Sequence, residues 1–366
     1  MKADPASAVH RLLARAIRAG MAPGMVAGWL SPNDSDPRSV VAGHACVRPV
    51  AEKMTEDRWF DLASLTKVLV ITPLVLVAFR NQDLTLETRV GQTLPELGGT
   101  TLGARRIRHL LTHTSGLPAW EPLYSRGEHP DSGAVIRRLA GLRVGEVRGE
   151  VVYSCPGFIL LGLILERLAG VPLDVLFERL VLGPLSLADE IGFRPGLGRP
   201  LVSGAHIPGA EQALMIERGL EPDCIPENPA GLPDDGNARF LGGVAGNAGL
   251  FGTMRGVLEL ARAAHTPGVL LTGDEIALAT RDHTPGLGQA RGLGWQLAAS
   301  PGCSAGPALS PDSFGHTGFT GTSLWIDPKR GLSMALFSNR VHPGHRPTDL
   351  HPLRRRFHHL VVEACT

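Results

Sequence analysis

A chain of 366 residues, with 43% hydrophobic and 19% charged residues, is long and apolar enough to bury a sizeable core. Its formal net charge of +1 provides neither the basic field that nucleic acid requires nor an acidic one for cationic partners. The 45 glycines and 29 prolines are dispersed, which points to many tight turns rather than a low-complexity tract.

Residues 8–20 carry Val9, Leu12, Leu13, Ala16 and Ile17 at helical spacing and lack the apolar centre of a secretory signal. Met25–Leu30 and Ser39–Ala45 read as strands separated by the polar turn Ser31–Arg38. The segment Phe60–Leu69 then opens a buried helix, because Val68–Phe79 is almost wholly apolar. That run contains Pro73 and is too short to span a bilayer, so no membrane span is expected. Ser64 and Lys67 stand three apart at its head and would share one helix face. A serine there can cap the helix, and the free N–H groups of a first turn suit an incoming oxyanion. A serine hydroxyl becomes a nucleophile only beside a base, and a lysine heading a buried helix is placed to be one.

Ile107–Leu111 reads as a helix closing into the turn His113–Pro118. Pro156–Leu168 is an apolar helix ended by Gly170, and Pro172–Leu182 is another begun by proline. Glu221–Arg239 reads as an irregular loop, and the glycine-dense run 241–252 allows close backbone packing. Met254–Ala264 and Thr272–Arg281 look helical. Gly294–Ala298, Ser323–Ile326 and Leu332–Ser338 look like short strands, and Arg354–Ala364 like a closing helix. Strands at both ends with helices between predict an α/β fold. One lobe would come from about residues 1–100 and 260–366, and a helical lobe from about 101–259. The five cysteines (Cys46, Cys155, Cys224, Cys303 and Cys365) are widely spaced, with no C-x-x-C pair and no H-E-x-x-H run. Reduced thiols in a cytoplasmic protein, without a metal site or a cofactor, are therefore expected.

Three separated segments resemble the active-site motifs of the serine β-lactamase/penicillin-binding-protein superfamily. Ser64-Leu65-Thr66-Lys67 matches its S-x-x-K, Tyr153-Ser154-Cys155 is similar to its Y-x-N, and His316-Thr317-Gly318 to its K-T-G strand. The resemblance covers most of the chain and is nearest to class C β-lactamase-like serine hydrolases, including esterases. It implies a β-lactamase-like fold: an antiparallel sheet flanked by helices and built from both termini, with an inserted helical lobe. By resemblance, Ser64 is the acylated nucleophile, Lys67 and Tyr153 form the base system, and His316 stands on the third motif. The N–H groups of Ser64 and Phe319 would form the oxyanion hole, with Thr317, Gly318 and Cys155 lining the substrate site.

Two positions depart from that pattern. His316 replaces a lysine, and an ordinary imidazole is mostly neutral at pH 7, so it anchors a substrate carboxylate weakly. Cys155 replaces an asparagine, and a thiol donates and accepts hydrogen bonds poorly; a small buried thiol is expected. The expected activity is hydrolysis of a small-molecule ester or amide through an acyl-enzyme. The alternatives are an acyltransferase, a peptide-processing enzyme of D,D-peptidase or β-lactamase type, and an inactive binding or sensor module. Specificity is assigned to the loops around 120–135 and 205–240. His109 and His113 read as turn or packing residues, Asp327 as a strand-end turn residue, and Glu166 as a solvent-facing charge.

Overall fold

The computed structural model describes residues 5–124, 132–145, 147, 149–196, 198–202, 210–221, 230–342 and 348–365. Cys224 and the parts of the expected specificity loops at 125–131, 205–209 and 222–229 lie outside the described residues. The strands in chain order are β1 (Gly24–Leu30), β2 (Arg38–Cys46), β3 (Glu52–Lys53), β4 (Phe60–Asp61) and β5 (Ile191–Phe193), then β6 (Leu250–Gly252), β7 (Gln296–Leu297), β8 (Phe314–Thr317), β9 (Ser323–Asp327) and β10 (Leu332–Ser338). Seven form an antiparallel sheet in the order β3-β2-β1-β10-β9-β8-β7. The first and last parts of the chain meet at its centre, where Gly28 lies opposite Ala335.

Strand alternation explains why both faces of this sheet are covered. Met25, Ala27 and Trp29 of β1 point to one side, with Met334 of β10 and Trp325 of β9. They pack there against the amphipathic helix α1 (Pro5–Arg18), through Val9 and Leu13, and against the C-terminal helix His351–Cys365, through Phe357. Val26, Ala335 and Phe337 point to the other side and join the larger core. That core contains the helix α2 (Thr72–Arg80), the helix α3 (Ile107–Leu111), the long helix α4 (Cys155–Ala169) and the helix α5 (Met254–His265). Burying each such large apolar side chain stabilises the fold by about 1.5–3 kcal/mol.

Two departures from the expected elements bear on the site. The buried helix does not run regularly from Ser64: residues Lys67–Ile71 form a π-turn, closed by Thr72 N–H donating to Lys67 C=O, before α2 begins. Pro73 follows at once, and a residue without an N–H cannot supply the regular bond at that point. The second is a small sheet in the order β4-β6-β5, which pairs Asp61 with Phe251. Strands of two and three residues are too short to display a period, so the glycine-dense run gave no sign of β6. Among the described residues no helix is long and apolar enough to cross a membrane.

Candidate active site

β4 delivers the chain to Ser64 through a sharp bend. Ala63 takes the left-handed φ of 47°, and its N–H donates to Asp61 Oδ1 at 2.8 Å. A non-glycine residue in that region costs about 1 kcal/mol and is held by its surroundings. Ser64 thus sits in a turn ahead of the helix, and its hydroxyl goes to Lys67 rather than capping the helix as expected.

Lys67 is fully buried. Its Nζ donates to Ser64 Oγ at 2.9 Å and to the main-chain oxygen of Asn247 at 2.9 Å, and lies 3.5 Å from Cys155 Sγ. The Tyr153 ring centroid is 5.1 Å from Nζ, and the nearby polar groups of Lys67 and Ser64 favour the ionised form of its phenol. Ser64, Lys67, Tyr153 and Cys155 are therefore brought together as the motif spacing predicted.

Each partner arrives on a distinct element. Ser154 caps α4, its hydroxyl accepting from Gly157 N–H at 3.4 Å while donating to Pro118 C=O at 2.9 Å, so the turn after α3 holds the start of α4. Asn247 comes from the loop before β6. There Gly246 is required, because a Cβ at that position would lie 2.0 Å from the Phe158 carbonyl oxygen of α4. Cys155 is only partly buried, against the expectation of a buried thiol, since it occupies the first turn of α4.

The third motif closes the site from the sheet. His316 and Thr317 end β8, and the chain then turns through Gly318, whose N–H donates to Thr322 C=O at 2.8 Å. A Cβ on Gly318 would meet Thr322 Oγ1 at 2.1 Å and Leu62 C=O at 2.8 Å, so this turn lies directly on the backbone leading to Ser64. Thr320 Oγ1 donates to Asp61 C=O at 2.7 Å and Thr322 Oγ1 to Leu62 C=O at 3.1 Å, which fastens the two segments together. Arg340 grips Phe319 C=O through Nε at 2.9 Å and Nη2 at 2.7 Å, fixing the turn's orientation. Among the described residues no main-chain oxygen accepts from Ser64 N–H or Phe319 N–H, so both donors remain available to a ligand. The Phe319 ring is half exposed.

Burial sets the charge states. It works to push the Lys67 ammonium down, but negative charge on Cys155 and Tyr153 favours the ammonium and the balance is upward. Burial pushes the Tyr153 phenol and the Cys155 thiol up, against the pull of Lys67. The lysine's upward shift thus depends on an anionic neighbour, so amine, phenol and thiol titrate as one coupled cluster. His316 is 3% exposed, and burial together with the Lys67 and Arg291 cations holds it well below the ordinary histidine range. It is neutral, and its Nδ1 lies 2.8 Å from Thr317 C=O.

Several contributors carried no signal in the sequence. Arg291 is 6% exposed, its guanidinium carbon 5.9 Å from the Tyr153 ring centroid, and its buried Nε has no acceptor among the described residues. Its charge is felt at His316, although burial works to lower its own pKa. Asn247 is fully buried, with neither side-chain polar atom paired among the described residues. His113, expected as a turn or packing residue, does occupy a turn but also contacts the Tyr153 segment directly. His109 accepts from Arg106 N–H at 3.2 Å at the start of α3, a local turn role as expected. Asp327 ends β9, as expected, and is fully buried, with both oxygens held by Ser310 and Arg330. Glu166 is not a solvent-facing charge: it is part-buried, and its carboxylate accepts from Leu173 N–H at 2.8 Å, which satisfies a donor at the start of the next helix.

A family model described as Beta-lactamase matches residues 13–358. The chain is similar to Esterase EstB of Burkholderia gladioli, 28% identical over 323 residues that cover 81% of each chain. It is similar to a putative D-alanyl-D-alanine carboxypeptidase of Escherichia coli, 26% identical over 320 residues that cover 79% of this chain and 71% of the relative. Among solved structures, EstCE1, described as a hydrolase with promiscuous acyltransferase activity, superposes with a TM-score of 0.74 at 23% identity, covering 97% of this chain and 98% of its own.

Proposed function

The chain belongs to the β-lactamase family, and from that premise we propose that it is a serine hydrolase that cleaves a small ester through an acyl-enzyme on Ser64. The observation that carries this reading is the Ser64 hydroxyl 2.9 Å from a fully buried lysine amine, with the Tyr153 ring centroid 5.1 Å from the same Nζ. The Lys67–Tyr153 pair, having shed one proton to solvent, takes the Ser64 proton as Oγ attacks the carbonyl carbon. Ser64 N–H and Phe319 N–H then hold the oxyanion, a contribution of about 10²–10³ in rate for each donor. Collapse breaks the ester bond, and the pair returns the proton to the departing alcohol. Water, deprotonated by the same pair, attacks the acyl carbon; the bond from that carbon to Ser64 Oγ breaks, the pair returns the proton to Oγ and the acid departs.

A neutral ester is favoured because His316 is an uncharged imidazole and Cys155 lacks an amide. Arg291 supports a second reading, in which the substrate carries a carboxylate, as for a peptide-processing enzyme. A buried guanidinium with an unpaired N–H beside Tyr153 suits an anionic group, and one such charge-assisted bond is worth about 1.5–3 kcal/mol, or a ten- to hundredfold effect.

A fluorophosphonate probe with mass mapping of the labelled peptide tests the nucleophile. Label is expected on Ser64, and Ser64→Ala should remain folded while losing turnover of short-chain p-nitrophenyl esters; label on another residue with activity intact removes the mechanism. The substrate class is tested by comparing kcat/KM for a p-nitrophenyl ester, a cephalosporin and a D-alanyl-D-alanine peptide, in the native protein and in Arg291→Met. The ester is expected to lead by at least about tenfold and to be insensitive to Arg291→Met. A lead for either carboxylate-bearing substrate that collapses in Arg291→Met establishes the second reading instead.

A further inference from the structure

His113 encloses the Tyr153 segment from both sides. Its main-chain oxygen accepts from Val152 N–H at 2.9 Å, and its Nδ1 accepts from Ser154 N–H at 3.0 Å. The residue between those two donors is Tyr153, and the imidazole lies against its ring with centroids 4.6 Å apart. The imidazole also packs on Phe158 of α4 at 5.1 Å, so it is wedged between the helix and the phenol. His113 reaches this place with a left-handed φ of 59°, at the end of the turn after α3, and is 1% exposed.

We propose that His113 is a positioning residue for the catalytic base: as a neutral acceptor for Ser154 N–H, it fixes the height and direction of the Tyr153 phenol over Ser64 and Lys67. This rests on the reading of Tyr153 as a member of the base pair. Buried N–H groups are almost always paired. Ser154 N–H has no second acceptor among the described residues, so losing the imidazole nitrogen strands that N–H and loosens the chain beside Tyr153, while Val152 N–H and the Ser154 hydroxyl still tie it to the α3 turn. A displacement of about 1 Å at a base costs up to about a hundredfold in rate. The charged and titratable groups facing the imidazole are Arg291, Lys67 and His316, with the Tyr153 phenol against its ring. With burial, the three basic groups all favour the neutral, accepting form.

The test uses His113→Asn, His113→Leu and His113→Gln with Tyr153→Phe and the double variant His113→Leu/Tyr153→Phe. Asparagine places an amide oxygen where Nδ1 stands and tolerates a left-handed φ; leucine has no acceptor, and glutamine moves it one bond further. His113→Asn is expected to keep kcat within about threefold of native. His113→Leu should lose about 10- to 100-fold in kcat with KM little changed and move the pH at which the rate rises. Adding His113→Leu to Tyr153→Phe should cost almost nothing more, because the histidine acts through the phenol. Should His113→Leu fail to fold, His113→Gln carries the same comparison. Equal losses in His113→Asn and His113→Leu, or a full additional loss in the double variant, would overturn the proposal in favour of simple packing. Native-like kcat in His113→Leu alongside a dead Tyr153→Phe would also overturn it while leaving the base intact. An active Tyr153→Phe would instead bring down the base assignment beneath it.

Discussion

At Lys67, an amine with no access to solvent is bonded to a serine hydroxyl and a main-chain oxygen, with a thiol at 3.5 Å and the Tyr153 ring centroid at 5.1 Å. A lysine in that position can serve as a base only after a proton has left. Burial works against its ammonium, but negative charge on Cys155 and Tyr153 tips its pKa upward, and burial pushes the Tyr153 phenol up, so the pair gives up its shared proton on the alkaline side. Groups with raised pKa values lose their protons as pH rises, so kcat/KM for a neutral ester should climb through the alkaline range. A flat profile between about pH 6 and 9 would show that the pair is already deprotonated at rest. Lys67→Ala and Tyr153→Phe should each depress acylation, and their combination should cost far less than the product of the single losses, since residues acting as a unit behave non-additively. Pre-steady-state acylation rates on the four proteins decide this; multiplicative losses would mean that lysine and tyrosine act independently.

At the scale of elements, the loop Gly246–Gly249 is the piece whose geometry the amine depends on. Its Asn247 carbonyl accepts a hydrogen bond from Lys67 Nζ, and its Gly246 lies where any side chain would strike the Phe158 carbonyl of α4. Gly246→Ala should therefore force loop and helix apart, at about 1–3 kcal/mol in stability, and withdraw the carbonyl from Lys67. The expected result is a folded protein with lower Tm and a loss of kcat larger than that of Gly192→Ala, where nothing lies within 4 Å of the added Cβ. Equal activity in the two variants would show that the carbonyl does not orient the amine. This element also marks where sequence reading stopped. Ser64, Lys67, Tyr153 and His316 were legible because each lies in a short motif, and the amphipathic α1 and apolar α4 were legible from their periodicity. The Asn247 partner is a backbone oxygen, which has no side-chain signature. The π-turn at Lys67–Ile71 looks like any apolar helix until its hydrogen bonds are seen. His113 and Arg291 are single residues whose relation to Tyr153 exists only once α3, β7 and α4 have packed.

For the whole molecule, the balance of buried titratable groups gives a stability that depends on pH in opposing ways. His113, His316 and His358 are held below the ordinary histidine range by burial, so the folded state resists their protonation and they favour folding as pH rises through the weakly acidic range. Asp61 and Glu211 act against this. Burial raises Asp61 to about 6 and Glu211 to about 7. Between the unfolded carboxylate values and those raised ones, the folded state binds more protons than the unfolded chain, so these two groups make stability fall as pH rises. Glu211 is the cleaner probe, because its Oε1 accepts from the Tyr124 hydroxyl at 2.6 Å and a glutamine oxygen can do the same. Glu211→Gln removes the charge that costs stability at neutral pH and keeps the bond. It should therefore match the native Tm near pH 4.5, where the glutamate is protonated in the folded protein, and exceed it increasingly up to about pH 8. Discounted for partial exposure, the gain should be about 1–2 kcal/mol, or an upward shift of about 2–4 °C. Thermal melts of both proteins across that range measure the difference directly, and a gap that stays constant from pH 5 to 8 would mean that Glu211 is already ionised throughout in the folded state.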